Sequence, residues 1–421
     1  MKIAVVAVGT RGDIQPHLAL ASTLRGRGHA VLVAAPRDFE SAVRALGLGY
    51  GPIDISVRGL LDSAAGADLL ECGRRPLRFL TLLHKLAMPV VERIVSGVDA
   101  ACADTDAVCY SLLGLPAYFF AKGRGVPAFT SSMQPLGRTS AFPSPLLPLN
   151  GNTPSFLNRS THMAIEHAFW QAVRSLIKSA LRGRVPVWNV FSSLYAAEQP
   201  MLFALSPLIV PRPPDWGSWM HMTGYWMLPM DAAWQPAPAL TDFLASGSPP
   251  VCVGFGSMHT PRVVERLRLA LAAVRSLRRR AIILTGWSGV LLDRSQLDDD
   301  VYVTESIPHE WLFPRVAAVV HHGGAGTTAA ACRAGVPSVI LPFFFDQAFW
   351  GQTLHQRTLG PAPSARRLSA ESLRDDLRLA LTCEAMRAKL HALSRALQHE
   401  DGTGRAADVI ERTVIRGKRT I

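Results

Sequence analysis

The chain has 421 residues, 48% hydrophobic and 18% charged, with Gly and Pro spread throughout; this is the composition of a packed globular protein and excludes a disordered one. Its length exceeds one ordinary core and fits two α/β domains of about 200 residues each, with a cleft between them. Lys and Arg exceed Asp and Glu by 44 − 32 = 12, which suits a polyanionic small substrate, an anionic membrane surface or a merely solvated Arg-rich face; nucleic acid is the least expected partner, since the basic residues are scattered and no zinc-finger or RNA-binding signature appears.

The opening MKIAVVAVG has one Lys, an apolar run and no small-residue cleavage site, so it reads as a first strand, Lys2 to Val8, and not as a signal peptide. Gln15 to Arg27 reads as a helix with Leu18, Ala21 and Leu24 on its apolar face, and Ala30 to Ala35 as a second strand. The resulting βαβ unit crosses over right-handed and collects ligands at the carboxyl ends of its strands. The loop GTRGDIQP between strand and helix carries Asp13, which reads either as a chemical group facing the cleft or as the cap of a helix starting at Gln15.

From Gly59 to Val98 the pattern is least regular; PLRFLTLLHKLAMPVVERIV is amphipathic and suits a helix packed on its own domain, or one resting on lipid. Ser131 to Pro148 is a proline-rich loop of the kind that lines binding sites. Pro211 to Met230 mixes Pro, Gly and Trp, which disfavours regular structure and suggests an interdomain linker. Strands follow at Val251–Gly254, Ala281–Thr285, Val301–Thr304, Ala317–His321 and Ser338–Leu341, with helices such as Arg262–Leu277 and Thr327–Ala334 between them, and a late helix at Ala385–His399. The domains expected are 1–210, a linker at 211–236, a second Rossmann-like domain at 237–399, and a segment 400–421 returning to the first. No apolar stretch reaches the roughly 18 residues needed to span a bilayer. The six cysteines have no C-x-x-C spacing and suit a reducing cytoplasm without a disulfide framework or zinc site. Asp298, Asp299 and Asp300 stand together without a supporting motif and read as a solvated turn, not as metal ligands.

The strongest local signal is HHGGAGTTAAACRAGVPSVILPFFFDQ, His321 to Gln347. A strand ends at His321, the glycines let a ligand approach the backbone, and unpaired amides at the following helix start favour an anion such as phosphate. His322 adds a donor, and Thr327 reads as helix cap and phosphate contact. A glycine turn alone can be only a tight turn.

HHGGAGTT followed by PFFFDQAFWG resembles the family 1 nucleotide-sugar-dependent glycosyltransferases, and VGTRGDIQPHLALASTLRGRGHAV at the amino end resembles their sterol and bacterial antibiotic branch. The resemblance implies a GT-B fold of two facing Rossmann-like domains with parallel sheets, the acceptor bound in the first and the donor in the second. It implies that His322, Gly324, Ala325, Gly326 and Thr327 hold the diphosphate, with Ser257 near the phosphates. Arg11 and Gly12 help stabilise the leaving group, Trp287, Ser306 and Ile307 hold the base, and Asp346 and Gln347 bind sugar hydroxyls. Each has a plainer alternative: Ser257 a turn, Trp287 core packing, Asp346 an N-cap. Asp13 matches the branch's general base, and transfer is then inverting, with neither metal nor cofactor beyond the nucleotide sugar. His17 is not equated with the activating His of the plant branch. Ala330 stands where the plant motif has a ribose-binding Glu, and Phe345 where Gly is common; a narrowed pocket suggests an unusual or deoxy sugar. The expected acceptor is a lipophilic hydroxyl compound, and the expected compartment the cytoplasm, with peripheral membrane contact left open. The alternatives are a nucleotide-sugar-binding partner without turnover and a sugar-nucleotide epimerase.

Overall fold

The computed structural model describes residues 1–72, 75–147, 155–181, 189–256, 258, 261–286, 298–344, 346–363 and 368–419. The chain divides into two compact units, Met1–Leu228 with Asp401–Ile421, and Pro229–Glu400. Each is an α/β unit with a parallel sheet.

In the first unit the described strands are β1 (Lys2–Val6), β2 (Ala30–Pro36), β3 (Gly49–Ile53), β4 (Ala107–Ser111), β5 (Ala128–Ser132), β6 (Met201–Phe203) and β7 (Met220–Met222), in the order β3-β2-β1-β4-β5-β6-β7. The run Ile3 to Val8 is buried because helices cover both sheet faces, which is why it lacks polar alternation. The order reverses between β1 and β4, so ligands are expected beyond the carboxyl ends of those two strands. The Gly9–Asp13 segment follows β1 at that place.

Several expectations for this unit are corrected. The first helix runs Arg11–Gly26 and takes Pro16 inside it, so Asp13 is a residue of its first turn and not a cap before it. Gly59–Val98 is helical over most of its length: helices Val57–Asp62, Ala64–Glu71, Pro76–Ala87 and Val91–Ala101 cross it. The amphipathic Pro76–Ala87 helix buries Leu82 with Leu69 and Cys72, and Phe79, Leu83 and Leu86 pack on that cluster. The Pro211–Met230 stretch supplies a strand, β7, paired in parallel with β6 through Met201 and Met220. Its aromatics pack there: buried Trp216 stacks on Phe203 at 4.4 Å and half-buried Trp219 meets Tyr195 edge-on at 5.1 Å.

The Gly402–Arg419 helix buries Ala406, Ala407, Ile410 and Val414. It is tied to the first helix by Thr23 and Thr403 at 2.8 Å, and by Arg27 with Asp408 at 2.6 Å and Glu411 at 3.0 Å.

The second unit has β8 (Val251–Gly254), β9 (Ala281–Leu284), β10 (Val301–Thr304), β11 (Ala318–His321) and β12 (Ser338–Ile340), in the order β10-β9-β8-β11-β12 among the described residues. Here the order reverses between β8 and β11, whose ends Gly254 and His321 are paired. Among the described residues no helix is long and apolar enough to cross a membrane, and no cluster of three or more His, Cys, Asp or Glu could hold a metal ion. Asp298 to Asp300 form an exposed turn, with Asp298 paired to Arg275 at 2.9 Å.

Candidate active site

At the end of β1, Gly9 has φ +143°, and a Cβ there would collide with the Asp13 carboxylate. Glycine is required because it clears the space in which that carboxylate sits. Thr10 is the N-cap: its backbone N–H donates to Asp13 Oδ2 at 2.8 Å and its hydroxyl to the same oxygen at 3.2 Å. The Asp13 carboxylate thus closes a capping box from the third helical position through Oδ2. Burial raises the Asp13 pKa above the ordinary value, and the Thr10 bonds only partly offset it. Arg11 and Gly12, exposed on the same turn, carry helix-start amides outside the helical ladder.

His17, one turn on, is fully buried. Nδ1 lies 2.6 Å from the Asp13 carbonyl and Nε2 2.7 Å from the Ser131 hydroxyl. Its ring meets Trp226 edge-on at 5.7 Å. Burial lowers its pKa to about 4, so it is neutral near pH 7. A carbonyl only accepts, so Nδ1 carries the proton, and the Ser131 hydroxyl, which also faces the Tyr110 carbonyl at 2.9 Å, lies between that carbonyl and Nε2. The imidazole is enclosed and serves to hold the helix start.

The proline-rich loop after β5 is fastened at several points. Asp215 accepts from the Thr139 hydroxyl at 2.6 Å and the Ser140 amide at 2.7 Å. Arg138 pairs with buried Glu166 at 2.6 Å and lies 4.2 Å over the Tyr195 ring.

In the second unit, Gly324 is the N-cap of the Ala325–Ala334 helix, so Thr327 lies in its first turn and does not cap it as expected. The Gly324 carbonyl instead accepts from the amide and hydroxyl of Thr328, both at 2.9 Å. Gly324 must lack a side chain, because a Cβ would stand 2.5 Å from His322 Nε2. The free amides of Ala325, Gly326 and Thr327 form an anion-attracting end. His322 Nδ1 is buried without a partner among the described residues, and burial with the Arg266 charge lowers the imidazole to about 4. His321 is fully buried and accepts from the Gly323 amide at 3.1 Å.

Gly323 brings the glycine turn against the second motif. Its φ is +91°, and a Cβ would meet the Gln347 carbonyl oxygen at 2.8 Å. Gln347, buried at the start of the Gln347–Gln356 helix, accepts through Oε1 from the amides of Phe343 at 2.7 Å and Phe344 at 3.2 Å. With the oxygen engaged, its amide nitrogen remains as the side chain's donor. Asp346 stands at the N-cap position but makes no side-chain cap bond; it accepts from Trp350 Nε1 at 2.9 Å. Ser306 is exposed and Ile307 buried on the segment after β10. Ser257, Trp287 and Phe345 lie outside the described residues.

Three contributors have no signal in the sequence motifs: Gly9, whose part depends on where Asp13 folds back, His17 as a prop, and Arg266. Arg266 sits inside the Pro261–Ser276 helix, and its Nη1 donates to the Leu341 carbonyl at 2.7 Å.

Residues 3–129 match the glycosyltransferase family 28 N-terminal domain, and residues 270–402 the C-terminal domain of erythromycin biosynthesis protein CIII-like proteins. A sterol 3-beta-glucosyltransferase of Arabidopsis thaliana is 32% identical over 98% of this chain and 68% of its own length. The O-mycaminosyltylonolide 6-deoxyallosyltransferase of Streptomyces fradiae is 33% identical over 98% of this chain and 97% of its own. Among solved structures, the glycotransferase of kitacinnamycin superposes with a TM-score of 0.72 at 19% identity, covering 98% of each chain; it shares the fold.

Proposed function

The chain belongs to the family 1 nucleotide-sugar-dependent glycosyltransferases, the group with the sterol and antibiotic enzymes, and from this we propose that it moves a sugar from a UDP- or dTDP-activated donor to a hydroxyl of a lipophilic small molecule, with inversion and without a metal ion. The observation carrying the donor assignment is the close approach of Gly323 to Gln347. It sets the anion-attracting helix start and His322 beside the Asp346–Gln347 pair, so one unit offers adjoining groups for a diphosphate and for sugar hydroxyls.

Asp13 is the base. Its Oδ1 takes the acceptor hydroxyl proton as the oxygen attacks the anomeric carbon, and the nucleotide diphosphate leaves from the opposite face. The helix-start amides with His322, and those of Arg11 and Gly12, meet the charge that develops on the leaving group. Ser257, Trp287, Ser306 and Ile307 are assigned to the phosphates and the base by their motif positions.

The two relatives are named for a sterol and for O-mycaminosyltylonolide, and a greasy acceptor suits the apolar loop that carries Phe142, Leu146 and Leu147. The name 6-deoxyallosyltransferase, with Phe345 before the Asp-Gln pair, supports a deoxy sugar. Widely spaced cysteines suit a reducing cytoplasm. Exposed Phe156 and Leu157 beside exposed Arg159 suit peripheral contact with an anionic membrane.

The test is a mass-spectrometric screen of sterols, macrolide aglycones and phenols against UDP-glucose and dTDP-deoxyhexoses. Glycosylated product with inverted configuration is expected. Nucleotide binding without any product would favour a non-catalytic partner.

A further inference from the structure

Arg266 is half-buried, and its guanidinium lies 3.7 Å from the centre of the Phe343 ring while Nη1 reaches the Leu341 carbonyl. Leu341 follows β12, and the Phe343 amide is the one held by Gln347. The guanidinium therefore stands on the loop joining the glycine turn's sheet to the Asp346–Gln347 pair, and its charge lowers the His322 pKa. A guanidinium has five N–H donors, and only the Leu341 bond engages one among the described residues. No carboxylate pairs with it there: Arg262 opposes its charge, and Glu265 supports it only through space.

A cation so placed is poorly compensated. Burial, then Arg262, lowers its pKa to about 10. A partly desolvated charge without a counter-ion is costly, and a bound anion removes that cost. Packing on Phe343 accounts for the guanidinium's flat face and leaves its remaining donors unused.

We propose that Arg266 supplies the fixed positive charge that holds the donor's diphosphate in the second unit. This rests on the nucleotide-sugar reading above. His322 then contributes hydrogen bonding without charge, and Arg266 sets the strength of donor binding by the number of phosphates it meets.

Calorimetric titration of UDP, dTDP, UMP and dTMP into the parent, Arg266→Met and Arg266→Lys proteins tests this. For the diphosphate that the parent prefers, Arg266→Met should lose roughly tenfold or more in affinity, the scale of one charge-assisted contact. The monophosphate should weaken less, so the preference for diphosphate over monophosphate collapses. Arg266→Lys keeps the charge without the planar fork and should recover most of the loss. Arg266→Met binding within twofold of the parent would overturn the proposal, as would equal weakening of mono- and diphosphate, which marks a structural role. A parent that binds neither diphosphate would overturn the nucleotide-sugar reading and this one together.

Discussion

His17 donates its Nδ1–H to the backbone carbonyl of Asp13 at 2.6 Å while its Nε2 lies 2.7 Å from the Ser131 hydroxyl oxygen. A side chain on the first helix thereby ties that helix's opening turn to the end of β5. Asp13 is held twice, through its own backbone by His17 and through Oδ2 by Thr10.

Asp13→Asn should abolish base catalysis and preserve the fold. An amide oxygen still accepts from Thr10, so the capping box keeps its geometry. Turnover should fall by about 10²- to 10⁴-fold, the range for a lost general base. Because the folded Asp13 pKa is raised, the protonated carboxyl is favoured by folding, and the stability it contributes is lost as pH rises through that value. The melting temperature of Asp13→Asn near pH 7 should therefore equal or exceed the parent's. The parent's kcat should decline on acidification at a pH above that of an ordinary carboxylate, followed in an initial-rate pH profile.

Gly9→Ala should injure the same carboxylate from the other side. The added methyl would collide with Asp13 Oδ2 at a positive φ. A cost of at least about 1 kcal/mol is expected, with a drop in kcat. Urea unfolding and steady-state rates measured together would show both, and a variant with parental kcat would count against the placement of Asp13.

Gln347→Glu separates loop support from sugar recognition. A carboxylate still accepts from the amides of Phe343 and Phe344 but has no N–H to offer a hydroxyl. The fold should survive and the donor KM should rise about tenfold, the value of one lost polar contact. Gln347→Leu should unfold more readily, because it strands two amides.

Acid should destabilise the first unit through His17. Its folded pKa, about 4, is depressed below the ordinary value of 6.5, so its contribution is complete above 6.5 and is lost as pH falls towards 4. The loss is on the order of 3 kcal/mol. Chemical denaturation at steps between pH 7 and pH 4 should show it, and His17→Gln should flatten part of the slope.

What could be read in advance follows from how local each signal is. The buried strands of both sheets are legible because an apolar run such as Ile3 to Val8 has no other use. The start of the first helix was not: Pro16 looks like a first-turn residue, which shifts the expected start to Gln15, whereas the Thr10 and Asp13 pair begins it at Arg11. β7 was hidden because its flanking Pro and Gly read as breakers, and only packing of Trp216 on Phe203 decides otherwise. Arg266 is one arginine among several on an amphipathic helix. Nothing local marks it, since its significance arises from Leu341 and Phe343, some 75 residues later.

The Gly402–Arg419 helix belongs to the unit that begins the chain, whereas the second unit is continuous from Pro229 to Glu400. During synthesis the second unit can therefore fold from an unbroken stretch of chain. The first must wait, with the seat for Ala407 and Ile410 unfilled, until the Gly402–Arg419 helix emerges, so a unit started before the second is completed after it.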